Sequence, residues 1–216
     1  MERIFAVGDI HGCYRRLVDL MDRLPFDPFE DFLVFLGDYI DRGPESREVI
    51  SYLLNLSRRG GNIIFLKGNH EHALLEYART GDEEYLRILR SMGIEETLRS
   101  YANQPVRTLA DLSFLPADHQ DFLEHLLPYY ERGGYLFVHS GVPPGTELEQ
   151  CRLEDLLTLR GTFLRHPVTI GKIVVFGHTP FEMPFVTLDK IGIDTGAVYG
   201  NMLTAVELPR LRFYHA

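Results

Sequence analysis

Five short apolar runs, each stopping abruptly at a small set of polar residues, limit what this chain can fold into. They occupy residues 3–7, 32–36, 62–66, 135–138 and 172–176. Behind them stand Gly8-Asp9-Ile10-His11-Gly12, Gly37-Asp38, Lys67-Gly68-Asn69-His70, His139-Ser140-Gly141 and Gly177-His178-Thr179. Runs of four or five residues rich in Val, Ile and Phe read as strands buried on both faces. Helical spacing fills the gaps between the first three. Leu17, Leu20, Met21 and Leu24 share one stripe, and Val49, Ile50, Leu53, Leu54 and Leu56 share another, with Gly60-Gly61 as its stop. Strand, helix, strand, helix, strand predicts a layered α/β fold, in which ligands sit beyond the carboxyl ends of the strands. All five polar clusters are at that end.

The rest of the chain reads differently. Residues 71–130 look mostly helical, in short pieces punctuated by Gly81, Gly93, Pro105 and Pro116. Beyond residue 170 short strands are expected at 173–176, 185–188, 191–193, 203–208 and 211–214. Helical units first and strands later predict a second sheet packed on the first: a sandwich of two mixed sheets flanked by helices. Residues 1–216 are expected to form a single domain.

Composition narrows the function classes. A net charge of −9 argues against a chain whose main task is to coat nucleic acid. It leaves room for a small anion, because bound cations reverse the sign locally. Cys13 and Cys151 form no C-x-x-C, so a reducing compartment fits best. No segment reaches membrane-spanning length or resembles a signal peptide, hence the expectation of a cytoplasmic protein without a membrane partner.

Taken together, Asp9, His11, Asp38, Asn69, His70, His139 and His178 offer carboxylate, amide and imidazole donors. That mixed N/O set suits Mn, Fe or Zn. Asp38, in the middle of the series, is the natural bridge between two ions, and a two-metal pair can clamp a phosphoryl group. Any one of these residues alone reads as a turn or helix cap; five coordinated clusters do not. His72, His119, His125, His166 and His215 read as surface or packed side chains, and Glu71 as a structural carboxylate.

The strings G-D-I-H-G (8–12), G-D-Y-I-D-R-G (37–43), G-N-H-E (68–71), H-S-G (139–141) and G-H-T (177–179) closely resemble the calcineurin-like metallophosphoesterases. Within them the chain is similar to the bacterial phosphoprotein phosphatases, serine/threonine type. The resemblance implies that Asp9, His11 and bridging Asp38 hold one divalent metal ion, and Asp38, Asn69, His139 and His178 a second, most readily manganese. It makes His70 the general acid, oriented by Asp41, and gives Arg42 and Arg160 the phosphate oxygens. Thr158 stands where relatives often carry Trp ahead of the second arginine, and Tyr199 belongs to a stretch, 193–208, that looks bacterial. The implied activity is removal of phosphate from phosphoserine or phosphothreonine, and also phosphotyrosine, in a protein or peptide by direct attack of a metal-bridging hydroxide. The alternative within the family is symmetrical cleavage of dinucleoside tetraphosphates. A non-catalytic phosphate-binding module is the reading from another class; intact ligand positions and His70 weigh against it.

Overall fold

Residues 2–216 are described by a computed structural model. Three of the expected strands, β1 (Ile4–Val7), β2 (Phe32–Phe35) and β3 (Asn62–Phe65), run parallel and in register, Ile4 opposite Phe32 and Phe32 opposite Asn62. The predicted stripes form α1 (Tyr14–Arg23) and α2 (Ser46–Arg58), which bury Leu17, Leu20, Val49, Ile50 and Leu53. The next segment breaks into α3 (Asn69–Thr80), α4 (Glu83–Met92), α5 (Ile94–Ser100) and α6 (Ala117–Glu124). Gly81 and Gly93 end α3 and α4 in the left-handed region, at φ 67° and 87°.

The second half supplies β4 (Tyr129–Arg132), β5 (Tyr135–Val138), α7 (Leu153–Thr158), α8 (Gly161–Arg165), β6 (Ile173–Phe176), β7 (Phe185–Val186), β8 (Lys190–Gly192), β9 (Thr204–Leu208) and β10 (Arg212–His215). Two five-stranded mixed sheets result, ordered β10-β9-β1-β2-β3 and β4-β5-β6-β8-β7. The strand pattern alternates as a sandwich requires. Ile4, Ala6, Val34 and Leu36 face Phe137, Val175 and Ile191 of the other sheet, whereas Phe5, Val7, Leu33 and Phe35 pack under the helices. On the far side Leu136, Val138, Val174 and Phe176 meet Leu156 and Phe163. Each fully buried side chain of this size contributes about 1.5–3 kcal/mol relative to exposure.

Three expectations are corrected. The strands after residue 170 do not share one sheet: β9 returns to pair antiparallel with β1 and carries β10 with it. All five residues of β9 are buried, and only an interior position satisfies such a strand. β4, at the end of the stretch expected to be helical, pairs with β5. β3 is an edge strand with every residue only half-buried, not a strand covered on both faces. Among the described residues no helix is long and apolar enough to cross a membrane.

Candidate active site

The parallel strands of both sheets end at one edge, and bonds between the sheets tie their polar termini together. His139 Nδ1 donates to the Leu36 carbonyl at 2.9 Å. The His178 backbone N–H donates to both carboxylate oxygens of Asp9, at 3.2 and 3.0 Å. The chain makes these ends by turning left-handed at the expected site residues themselves. His11, Asp38, Asp41, Arg42 and His178 have φ of 46°, 52°, 71°, 66° and 63°. Non-glycine residues in this region cost about 1–3 kcal/mol each, so the surroundings must hold them. Glu71 does much of that holding. Fully buried at the start of α3, it accepts from the backbone N–H groups of Asp38, Tyr39, Ile40 and Gly68, at 2.8–3.2 Å. Gly68 is required there: a Cβ would stand 2.1 Å from Asp38 Oδ1.

Around Asp38 the acceptors face one another. His11 Nδ1 donates to the Ile40 carbonyl at 2.9 Å, leaving the Nε2 lone pair 3.4 Å from Asp38 Oδ2. His139, its Nδ1 likewise spent, points Nε2 at Asp38 Oδ1 (3.4 Å) and Asn69 Oδ1 (3.0 Å). Lone pairs converge in this way on a proton or a metal ion. Two tight donor groups follow, His11-Asp38-His70 and Asp38-His139-His178, each with its donor atoms within 4.8 Å and all residues buried. The chemistry of this donor set fits divalent metal ions. Asp9 lies outside both tight groups and Asn69 is beside the second. Without an ion, a proton takes the ion's place at His139. Burial alone lowers that imidazole's pKa, but Asp38 and Asp9 push it up to about 9. Burial, with His139 next, drives His178 down to about 3.

Around Asp41 both carboxylate oxygens and the backbone N–H are paired. His70 Nδ1 meets Asp41 Oδ2 at 2.7 Å. Thr97 donates to Asp41 Oδ1 at 2.7 Å while accepting the Asp41 N–H at 2.9 Å, and Ser46 completes the clamp. His70 is fully buried. Burial opposes its proton most strongly, yet Asp38 and Asp41 outweigh it and the pKa is raised. Its Nε2 has no hydrogen-bond partner among the described residues and stands 3.8 Å from Asp38 Oδ2. Arg42 Nη1 approaches His11 Nε2 at 2.5 Å, with its guanidinium 5.6 Å from the ring of exposed Tyr199. Arg160 Nε donates to His178 Nε2 at 3.0 Å. All ten expected site residues therefore gather at this edge. Thr97, Ser46 and buried Asp194, near Asp9 and Asp38, were not expected there. Only Asp194 had a sequence signal, the I-D-T-G run after β8.

Comparison with known proteins agrees with this geometry. The calcineurin-like phosphoesterase family matches residues 2–199. A Bacillus velezensis protein named bis(5′-nucleosyl)-tetraphosphatase PrpE, asymmetrical, is 29% identical over 94% of this chain and 88% of its own length. A symmetrical bis(5′-nucleosyl)-tetraphosphatase of Aromatoleum aromaticum is 34% identical, over 69% of this chain but 48% of its own length. A crystal structure provisionally described as a diadenosine tetraphosphatase superposes with TM-score 0.75 at 23% identity, covering 99% of this chain and 92% of its own. A cold-active protein-tyrosine phosphatase of a psychrophilic Shewanella gives 0.69 at 18%, covering 99% and 77%. At those identities the two structures speak for the fold alone. The relatives by sequence correct one expectation. They are named for small nucleotides, which overturns the phosphorylated protein or peptide as partner.

Proposed function

Because this chain belongs to the calcineurin-like phosphoesterases, we propose that it hydrolyses dinucleoside tetraphosphates, cleaving them asymmetrically into a nucleoside triphosphate and a monophosphate. The observation that carries this reading is coverage. The asymmetrical enzymes align over 88–90% of their own length, the symmetrical ones over about half of theirs. The symmetrical product pattern is therefore the second reading.

Asp9, His11 and Asp38 would hold one divalent ion, and Asp38, Asn69, His139 and His178 the other. Manganese is the proposed ion; iron and zinc accept the same donors. When bound, such a pair supplies Lewis acidity and a nucleophile at neutral pH. His70 Nε2 stands 3.8 Å from Asp38 Oδ2, farther than the 3.4 Å of His11 and His139, and its Nδ1 is held by the Asp41 carboxylate, which suits an acid better than a ligand. Asp41, fixed by Thr97, holds the Nδ1 proton and directs Nε2 to the leaving oxygen, which it protonates. Arg42 and Arg160 grip the phosphate oxygens with charge-assisted bonds.

The test is product analysis of diadenosine tetraphosphate hydrolysis by metal-stripped protein refilled with manganese. ATP with AMP supports the proposal, and two ADP favour the symmetrical reading. An intact substrate overturns both.

A further inference from the structure

Asn69 belongs to two places at once, the edge of the metal-donor cluster and the wall of a cavity of about 390 Å³ between α3, α4 and α7. That volume is in the range of small-molecule sites, about 300–1,000 Å³. Other cavities, of about 460 Å³ at Glu2, Arg3 and Asp31 and about 300 Å³ at Leu126 and Cys151, contain none of the site residues.

The cavity's lining specifies its occupant. Ala73, Ile88 and Met92 make an apolar floor. Tyr85 and His72 set two aromatic rings at 90°, centroids 6.3 Å apart. His72 keeps Nε2 shielded and without a hydrogen-bond partner among the described residues, so turning that ring toward an occupant breaks no bond to them at that atom. The rim carries three exposed carboxylates, Asp82, Glu84 and Glu154, and, among the described residues, no cation. Such a rim repels phosphate and accepts hydrogen bonds from hydroxyl and amino groups. Flat and aromatic, uncharged, rich in donors and tethered to a phosphate beside Asn69: a nucleoside has each property.

We infer that this cavity is the nucleoside subsite, receiving the base and ribose attached to the phosphate held in the cleft, with Tyr85 as the stacking surface. The inference rests on the dinucleotide reading and deepens it.

Calorimetry on the full, manganese-loaded chain tests it with adenosine 5′-monophosphate and ribose 5-phosphate as probes. Wild type is expected to bind the nucleotide at least about tenfold more tightly, the usual effect of one stacked base. Tyr85→Ala should abolish that difference. So should Thr158→Trp, which plugs the mouth from an exposed position and guards against a poorly folded Tyr85 variant. Equal binding of the two probes by wild type, or a preference that survives both substitutions, overturns the subsite. Cleavage of diadenosine tetraphosphate by wild type is scored separately. No cleavage with the preference intact removes the functional reading and leaves the nucleoside site. Cleavage without the preference removes the site alone.

Discussion

The corner built around Asp41 and the corner built around Asp38 grow from the same strand end, three residues apart, and are opposites in hydrogen bonding. At Asp41 each donor meets an acceptor, with Thr97 on one oxygen and His70 on the other. At Asp38 the Nε2 atoms of His11 and His139 each stand 3.4 Å from a carboxylate oxygen, a spacing that suits a shared proton or ion. Four histidines are involved, and the partner of Nδ1 separates three of them: a backbone carbonyl for His11 and His139, a carboxylate for His70. A carbonyl fixes the tautomer and frees Nε2 to bind an ion. A carboxylate raises proton affinity and makes Nε2 a donor. In the proposed roles, that local difference divides two of the ligands from the acid.

The contrast can be broken most severely at its centre. Asp38→Asn removes the only charge shared by both donor groups. It should abolish stoichiometric manganese binding and lower turnover by at least about 10³-fold, read by metal analysis alongside hydrolysis. His70→Asn attacks the other corner. Turnover should fall about 10²- to 10⁴-fold with metal content unchanged. The loss should be smaller for a phosphoanhydride than for glycerol phosphate, since a phosphate leaving group needs its proton less. An equal loss of metal would make His70 a ligand and erase the distinction.

Thr97→Val is a finer probe. Without its hydroxyl Asp41 loses one charge-assisted bond, and kcat should drop about tenfold while KM holds. The alkaline limb of the pH profile, set by His70, should move as well; an unmoved limb would leave Thr97 a packing role only.

The mildest effect is on stability. In metal-free protein His139 is raised to about 9, so its contribution is complete below the unfolded value near 6.5 and is lost as pH rises through about 9. The Tm of metal-free protein should therefore fall between pH 7 and pH 9. Manganese-loaded protein should not show that fall, because the ion displaces the proton. Parallel behaviour of the two forms would place the ion elsewhere.

Much of the pattern was legible in the sequence because each expected donor sits within four residues of an apolar run, where strand and turn are local matters. That Asp9, His11, Asp38, Asn69, His139 and His178 come together at one edge could be expected from that pattern and the family resemblance. Thr97 was invisible: it lies 56 positions from Asp41, on a helix whose inward face is otherwise apolar, and nothing but the docking of α5 brings the two together. The return of β9 to β1 is non-local in the same sense. So is the cavity at Tyr85 and Met92, whose residues look like an ordinary amphipathic helix until α7 closes over them. The substrate was hidden for a related reason, since motifs shared across a whole family carry its chemistry and not what each member cleaves.

The left-handed backbone at His11, Asp38, Asp41, Arg42 and His178 has a consequence for anyone improving this protein. Glycine adopts that conformation freely, and five of the nine non-glycine residues at positive φ among the described residues belong to the proposed site, the others being Ala102, Asn103, Leu112 and Leu211. A laboratory selection for heat resistance alone, blind to turnover, would accept glycine at the proposed site as readily as at the other four positions, and the variants it returned from the site would be hardy and inert.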